Sequence, residues 1–227
     1  MINRKNNIVI WGAIAGIAGC AGDFLVLFVF GYYYPGYSQL FNTMSSLGAT
    51  ISPVSNFVSS LWILLGLFFI FFGYNFRKAF LPETNYVKLA SWLIVIYGLG
   101  EFVGSGLFKA DHIGNTVTNS AVVHGILGTI GIAALIFLPL VMQKIIPRTS
   151  NPGFHRLSWL VLITGLVLMV LFNFRFFDKA DNILNKLEGL WQRLFAVDYY
   201  LYLLVIIFKM VKGQLALKNG LTNEQTV

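Results

Sequence analysis

Charged residues are scarce in this sequence: Asp, Glu, Lys and Arg make up 11% of its 227 residues. A soluble domain typically carries about 25%, whereas 57% of this chain is hydrophobic. The apolar residues are spread over several long runs, and no polar stretch is long enough to fold alone. These features exclude an ordinary soluble protein and indicate one integral membrane domain over residues 1–227.

Cysteine and the common catalytic motifs are also missing or rare. The single cysteine, Cys20, excludes an intrachain disulfide and a cysteine-rich zinc site. The sequence contains no Walker loop, dinucleotide-binding fingerprint or nucleophile elbow. Cys20 follows Ile17-Ala18-Gly19, as in a bacterial lipoprotein signal, but the apolar run continues for ten residues beyond it. We therefore expect an uncleaved first helix rather than cleavage and lipidation at Cys20.

Six apolar runs are long enough to cross a membrane, since a spanning helix needs about 20 mostly apolar residues. They predict an all-α, polytopic helical bundle with spans at about residues 8–30, 56–74, 87–108, 117–142, 157–174 and 190–210. Glycines spaced three and four residues apart favour close packing between helices. The same glycine-rich faces allow a homo-oligomer, with membrane lipids as the other expected partners.

Basic residues are divided unequally between the two sides of this predicted bundle. Eleven of the 16 lysines and arginines fall on the side that carries both termini, and the long loop after the first span has none. By the positive-inside rule, both termini are expected in the cytoplasm, with the protein in the cell membrane. The net charge of +7 is thus explained by membrane topology, and we expect no nucleic-acid partner.

Two segments outside the spans show helical periodicity. In residues 37–47 and again in residues 181–192, apolar side chains recur at helical spacing opposite polar ones. This pattern predicts two amphipathic helices lying at the outer membrane surface. The first of them is also expected to cover the outer ends of the spans as a lid.

Titratable residues collect at one level of the predicted membrane, near its outer face. A charge in hydrocarbon costs about 2.5–3.5 kcal/mol even on a lenient scale, so membrane-level acids should face the bundle interior. We predict an outward-facing polar and acidic pocket there. Its candidate residues are Asp23, Ser45, Ser46, Glu101, Asp111, His112, His124, Arg175, Arg193 and Asp198.

Four functions are compatible with such a cluster. The leading hypothesis is that the pocket binds a lipid headgroup or small solute; a transporter of small solutes or ions would use the same carboxylates. A membrane hydrolase acting on lipids would hold zinc through Asp111, His112 and His124, leaving a position for water. In a purely structural protein, the acids would instead pair with Arg175, Arg193 or His124. Ser45 and Ser46 would act as nucleophiles only if a base reaches them; otherwise they satisfy local backbone groups.

Several motifs resemble those of a bacterial and archaeal membrane family called domain of unknown function 998. The matching segments are Pro35-Gly36-Tyr37-Ser38, Thr43-Met44-Ser45-Ser46-Leu47-Gly48, Pro53, Asn56, Gly106-Leu107-Phe108-Lys109-Ala110-Asp111 and His124-Gly125. The chain departs from the family pattern at Ser46, where an acid is frequent, and at Lys109, where a proline is frequent. The resemblance implies six membrane helices and places the first outer loop, Asp111 and His124 in one constellation. It implies no reaction.

Overall fold

The chain folds into the all-α bundle that the sequence predicts. A computed structural model describes the backbone of residues 2–80, 82–113, 116–174 and 182–224, and the side chains of 7–80, 82–111, 116–174 and 182–213. Within these residues, six helices are long and apolar enough to cross a membrane. They are α1 (Ile2–Tyr32), α2 (Ser55–Phe76), α3 (Asn85–Leu107), α4 (Asn119–Ile145), α5 (Pro152–Asn173) and α6 (Glu188–Glu224).

Capping side chains determine where three of these helices begin. The side-chain oxygens of Thr84, Thr118 and Asn151 accept hydrogen bonds from backbone N–H groups in the first turns of α3, α4 and α5. The fifth span was expected from residue 157, but its helix begins at Pro152, directly after the Asn151 cap. Helices α1 and α6 also extend past the predicted spans 8–30 and 190–210. Those bounds followed the apolar runs, and both helices include polar residues beyond the runs.

The two predicted surface helices are not found as such. Residues 33–43 form turns, and only Met44–Leu47 is a single 3₁₀ turn. Gly36, directly before the predicted segment 37–47, has φ +78, a left-handed turn conformation, and within the segment the Asn42 carboxamide accepts from the Ser38 N–H at 2.7 Å. Such local side-chain bonds compete with helical ones. The second prediction, residues 181–192, is also wrong in extent, because Ile183–Lys186 is one turn and Glu188 already begins α6.

The six helices form a closed ring in sequence order. Each packs against its neighbour in the chain, and α6 returns to pack against α1. Since consecutive spans run in opposite directions, residues 33–54, 108–113, 116–118 and 182–187 lie at the end of the bundle away from both termini. Between α3 and α4, Ile113 and Thr116 pair in a two-stranded antiparallel hairpin.

Three glycines of α1 pack against another helix of the same chain. A Cβ at Gly12, Gly16 or Gly19 would lie only 2.9, 3.0 or 2.9 Å from the side chain of Asn75, Phe72 or Phe69 of α2, which is closer than van der Waals contact. These positions therefore explain the tight α1–α2 packing. A homo-oligomer through glycine-rich faces stays a prediction.

Helix α3 is widened into π-helical turns over Gly98–Gly104. At Gly100 the backbone crosses α4 so closely that a Cβ would overlap the Leu127 carbonyl oxygen and lie 2.9 Å from the Gly131 nitrogen. An extra residue per turn shifts the following side chains around the helix, and π-helical turns occur frequently at functional sites. Here the widened turns carry Glu101 toward the centre of the ring.

Candidate functional site

A cavity of about 230 Å³ lies inside the ring, near the end away from the termini. All six membrane helices and the 3₁₀ turn contribute to its wall. Six aromatic residues line it: Trp62, Tyr97, Phe102, Phe172, Phe195 and Tyr200. The candidate residues that the structure brings together here are Asp23, Ser45, Glu101 and His124.

Asp23 is held by aromatic hydrogen-bond donors. Its carboxylate accepts from Trp62 Nε1 at 3.2 Å and from the Tyr200 hydroxyl at 2.7 Å. The Tyr200 oxygen in turn accepts from the Tyr97 hydroxyl at 3.1 Å. Asp23 is 1% exposed and lies nine residues, or about 14 Å along the helix, from the end of α1 at Tyr32. Four helices are thus tied to one buried carboxylate, without an ion pair among the described residues.

Glu101 differs from Asp23 in having no such donors. In the part of the chain that the structure describes, its carboxylate has no hydrogen-bond donor and no ion-pair partner. The side chain is partly exposed, and it faces the cavity. It reaches α4, where a Cβ added to Gly128 would lie 3.1 Å from Glu101 Oε2. Of the two carboxylates in the cavity wall, Glu101 is therefore the one without a partner among the described residues.

The loop before α2 covers the cavity and is fastened to α6 by Arg193. The guanidinium donates to Gln39 Oε1 at 2.7 Å, to the Asn42 carbonyl oxygen at 2.9 Å and to the Tyr37 hydroxyl. Gln192 adds a second link, since its side-chain oxygen accepts from the Met44 N–H at 2.7 Å. These bonds place Met44 and Ser45 against the cavity. We call residues 37–47 the covering loop.

Arg193 therefore holds the covering loop instead of pairing with an acid. No carboxylate within the described residues forms an ion pair with it. Burial raises the pKa of the Tyr37 hydroxyl above its ordinary value, while the charge of Arg193 opposes that shift. Ser46 serves the same loop, because its hydroxyl donates to the Thr43 carbonyl oxygen at 2.7 Å, and Ser46 does not line the cavity.

His124 lies at the cavity edge, and Asp111 lies outside the cavity. The Nδ1 of His124 is 2.8 Å from the Phe108 carbonyl oxygen, which holds the ring against the end of α3. Asp111 accepts from the Thr50 N–H at 2.7 Å and from its hydroxyl at 2.6 Å. Asp111 thus joins the loop before α2 to the loop before α4. It was expected in the pocket, but it is not part of the cavity wall.

The other predicted site residues are placed elsewhere or fall outside the description. Asp198 accepts from the Thr164 hydroxyl at 2.8 Å, between α5 and α6, and is not in the cavity wall. The side chain of His112 and the whole of Arg175 lie outside the described residues. Among the side chains that are described, no three His, Cys, Asp or Glu residues are grouped as metal ligands. The predicted zinc site at Asp111, His112 and His124 stays a prediction.

Sequence reasoning missed the aromatic residues that complete the site. Trp62, Tyr97 and Tyr200 have polar hydrogens on otherwise apolar side chains, so each resembles an ordinary residue of a membrane span. A signal was available, because a Trp or Tyr inside a span needs a partner for its N–H or O–H. An acid such as Asp23 at the same level is the natural acceptor.

Comparison with known proteins names no chemistry for this cavity. The family model described as "Protein of unknown function (DUF998)" matches residues 17–209. No curated protein and no solved structure matches the chain.

Proposed function

The chain belongs to the family of proteins of unknown function called DUF998, and we propose that its central cavity binds a lipid headgroup or small solute. The family description names no ligand or reaction, so the proposal depends on the site. The observation that carries it is the Glu101 carboxylate, which faces a cavity of about 230 Å³ with no donor or counter-ion among the described residues.

A purely structural role accounts for Asp23 better than for Glu101. Buried acids that stabilise a bundle are paired or hydrogen-bonded, as Asp23 is by Trp62 and Tyr200. A carboxylate at membrane depth without a partner is costly, and packing alone offers no compensation. A ligand that enters the cavity would provide the missing partner.

The dimensions of the cavity favour a small occupant. Pockets for drug-sized ligands usually measure about 300–1,000 Å³, and this one is slightly smaller. Ser105 and Asn173 add polar groups to a wall that also contains six aromatic residues, and pockets that orient a polar ligand group combine apolar and polar side chains in this way. With both termini in the cytoplasm, the cavity would lie near the outer face and receive its ligand from there or from the outer leaflet.

A cavity-filling substitution tests the proposal. Gly128→Leu would place a branched side chain beside the Glu101 carboxylate, since a Cβ at Gly128 already comes within 3.1 Å of it. Gly213→Leu is the matched control, because Gly213 lies exposed on α6 with open space around an added Cβ. Native mass spectrometry of protein extracted in mild detergent should show a bound molecule on the wild type and Gly213→Leu. It should be absent from Gly128→Leu; identical adducts on all three would overturn the proposal.

A further inference from the structure

We infer that the ligand of this cavity carries an ammonium group, bound by the Glu101 carboxylate and surrounded by aromatic rings. The inference rests on the proposed function and specifies the chemistry of the ligand. The shared feature is a protonated or quaternary amine, whether it belongs to a free solute or to a lipid headgroup.

The charge of the cavity wall selects a cation. Two of the lining residues, Asp23 and Glu101, are acids, and the described wall contains no lysine or arginine. The titratable groups that complete the wall are His124, Tyr97 and Tyr200. The nearby Arg193 is directed to the covering loop through Gln39 and Asn42. An anionic group would therefore meet two acids and no fixed positive partner.

Within this wall, Glu101 is the group available to the ligand. Both oxygens of Asp23 already accept hydrogen bonds, from Trp62 and Tyr200. Glu101 accepts none from the described residues, so its full hydrogen-bonding and charge capacity remains for an incoming donor. An ammonium group next to it would form a charge-assisted bond, which is about twice as strong as a neutral one.

The aromatic composition favours an organic cation over a metal ion. Ca²⁺ and Mg²⁺ need about six or more oxygen ligands, or retained waters, whereas only two carboxylates line this cavity within the described residues. Six of its residues are aromatic: Trp62, Tyr97, Phe102, Phe172, Phe195 and Tyr200. Aromatic faces attract alkylammonium groups through cation–π interactions, and cages of such rings recognise choline and methylated amines. The same rings solvate the alkyl substituents that an inorganic ion lacks.

The central comparison of the test uses two probes of the same shape, one charged and one neutral. The full-length protein is placed in nanodiscs of phosphatidylglycerol, which supplies no ammonium group, and titrated calorimetrically with choline and with 3,3-dimethylbutanol, its uncharged analogue. Ethanolamine serves as the primary-amine probe and acetate as the anion. We expect one of the two amines to bind, and the neutral analogue and acetate to bind at least about tenfold more weakly.

Glu101→Gln should weaken the amine by about tenfold or more, because it keeps the size of the side chain and removes the charge. Glu83→Gln is the control: Glu83 lies at the other end of the bundle, 3.9 Å from Arg77 in a surface pair, and its substitution should leave binding unchanged. Thermal unfolding of each variant verifies that it is folded. If Glu101→Gln does not fold, Gly128→Leu replaces it, with the same loss expected.

A second arm separates the two sources of the amine. Native mass spectrometry after incubation with phosphatidylethanolamine, phosphatidylcholine and phosphatidylglycerol should show the ammonium lipids retained over the anionic one if the source is a lipid. Binding of the soluble amine without lipid retention would identify a free solute. Equal binding of choline and dimethylbutanol, or a bound molecule without an ammonium group, would overturn this inference and leave the proposed function standing. An empty cavity in every arm would overturn both.

Discussion

The hydroxyl of Tyr200 donates a hydrogen bond of 2.7 Å to the carboxylate of Asp23, joining the last membrane helix to the first. Both residues are buried, and the same hydroxyl accepts from Tyr97. The contact closes the helical ring at the level of the cavity. It is therefore a place where the stability of the bundle and the shape of the site depend on one another.

Tyr200→Phe should destabilise the protein by about 1–3 kcal/mol, the typical cost of leaving a buried polar group without a partner. The substitution removes one of the two donors to Asp23 and keeps the aromatic ring. Unfolding in mixed micelles with increasing SDS would measure the change. Tyr86→Phe is the control, since Tyr86 is 49% exposed. Equal unfolding midpoints for the two variants would show that the hydroxyl contributes nothing.

Arg193→Lys should loosen the covering loop. An ammonium group cannot reproduce the fork with which the guanidinium binds Gln39, Asn42 and Tyr37. We expect faster hydrogen–deuterium exchange in residues 37–47, with little change in the core of α2. Arg77→Lys is the matched substitution, because Arg77 makes a partly exposed ion pair with Glu83 at 3.9 Å, a kind of pair that contributes little. Unchanged exchange in Arg193→Lys would mean that other contacts hold the loop.

Alkaline pH should destabilise the protein through Tyr37. Burial raises the pKa of Tyr37 in the folded state above its ordinary value of 10.0, so the folded state keeps a proton that the unfolded state loses. The contribution is present in full below about pH 10, and it is lost as the pH rises through the folded-state pKa. Unfolding midpoints measured from pH 8 to 11 should therefore fall less steeply in Tyr37→Phe than in the wild type. Tyr33→Phe, at an exposed position, should retain the wild-type slope.

Membrane orientation is tested by labelling single cysteines from outside. Cys20 is buried, and Cys20→Ala provides a background without thiols. In intact cells, a membrane-impermeant maleimide should label Tyr33→Cys, at the end of α1, and should label Lys144→Cys only after permeabilisation. The expectation follows from the excess of basic residues on the side that carries the termini. The reverse pattern would place both termini outside the cell and the cavity near the cytoplasmic face.

The membrane class and the number of spans were predictable because hydropathy is a local property of the sequence. A run of about 20 apolar residues predicts a spanning helix regardless of its neighbours, and all six runs are helices. The covering loop was predicted wrongly for a related reason. Its apolar spacing is helical, but the bond between the Asn42 side chain and the Ser38 N–H favours turns over a helix.

The level of the acids was also readable from the sequence, because topology places residues such as Asp23 and Glu101 at one end of the bundle. The different roles of these two acids could not be read from the sequence. Asp23 is satisfied by Trp62 and Tyr200, 39 and 177 residues away in the chain. Such partners depend on how each helix is rotated and packed, and neighbouring residues carry no information about that rotation.

Sequence alone thus determined that this is a six-helix membrane protein with acids at one end of its spans. Only the tertiary structure decided that Asp23 is bonded, that Asp111 binds Thr50 and that Glu101 faces the cavity without a donor among the described residues. The physical reason is that burial in lipid follows from composition, whereas a hydrogen bond requires two particular atoms to meet. The position of Glu101 likewise depends on tertiary packing, because it lies in the widened turns of α3, where Gly100 comes close to the backbone of α4.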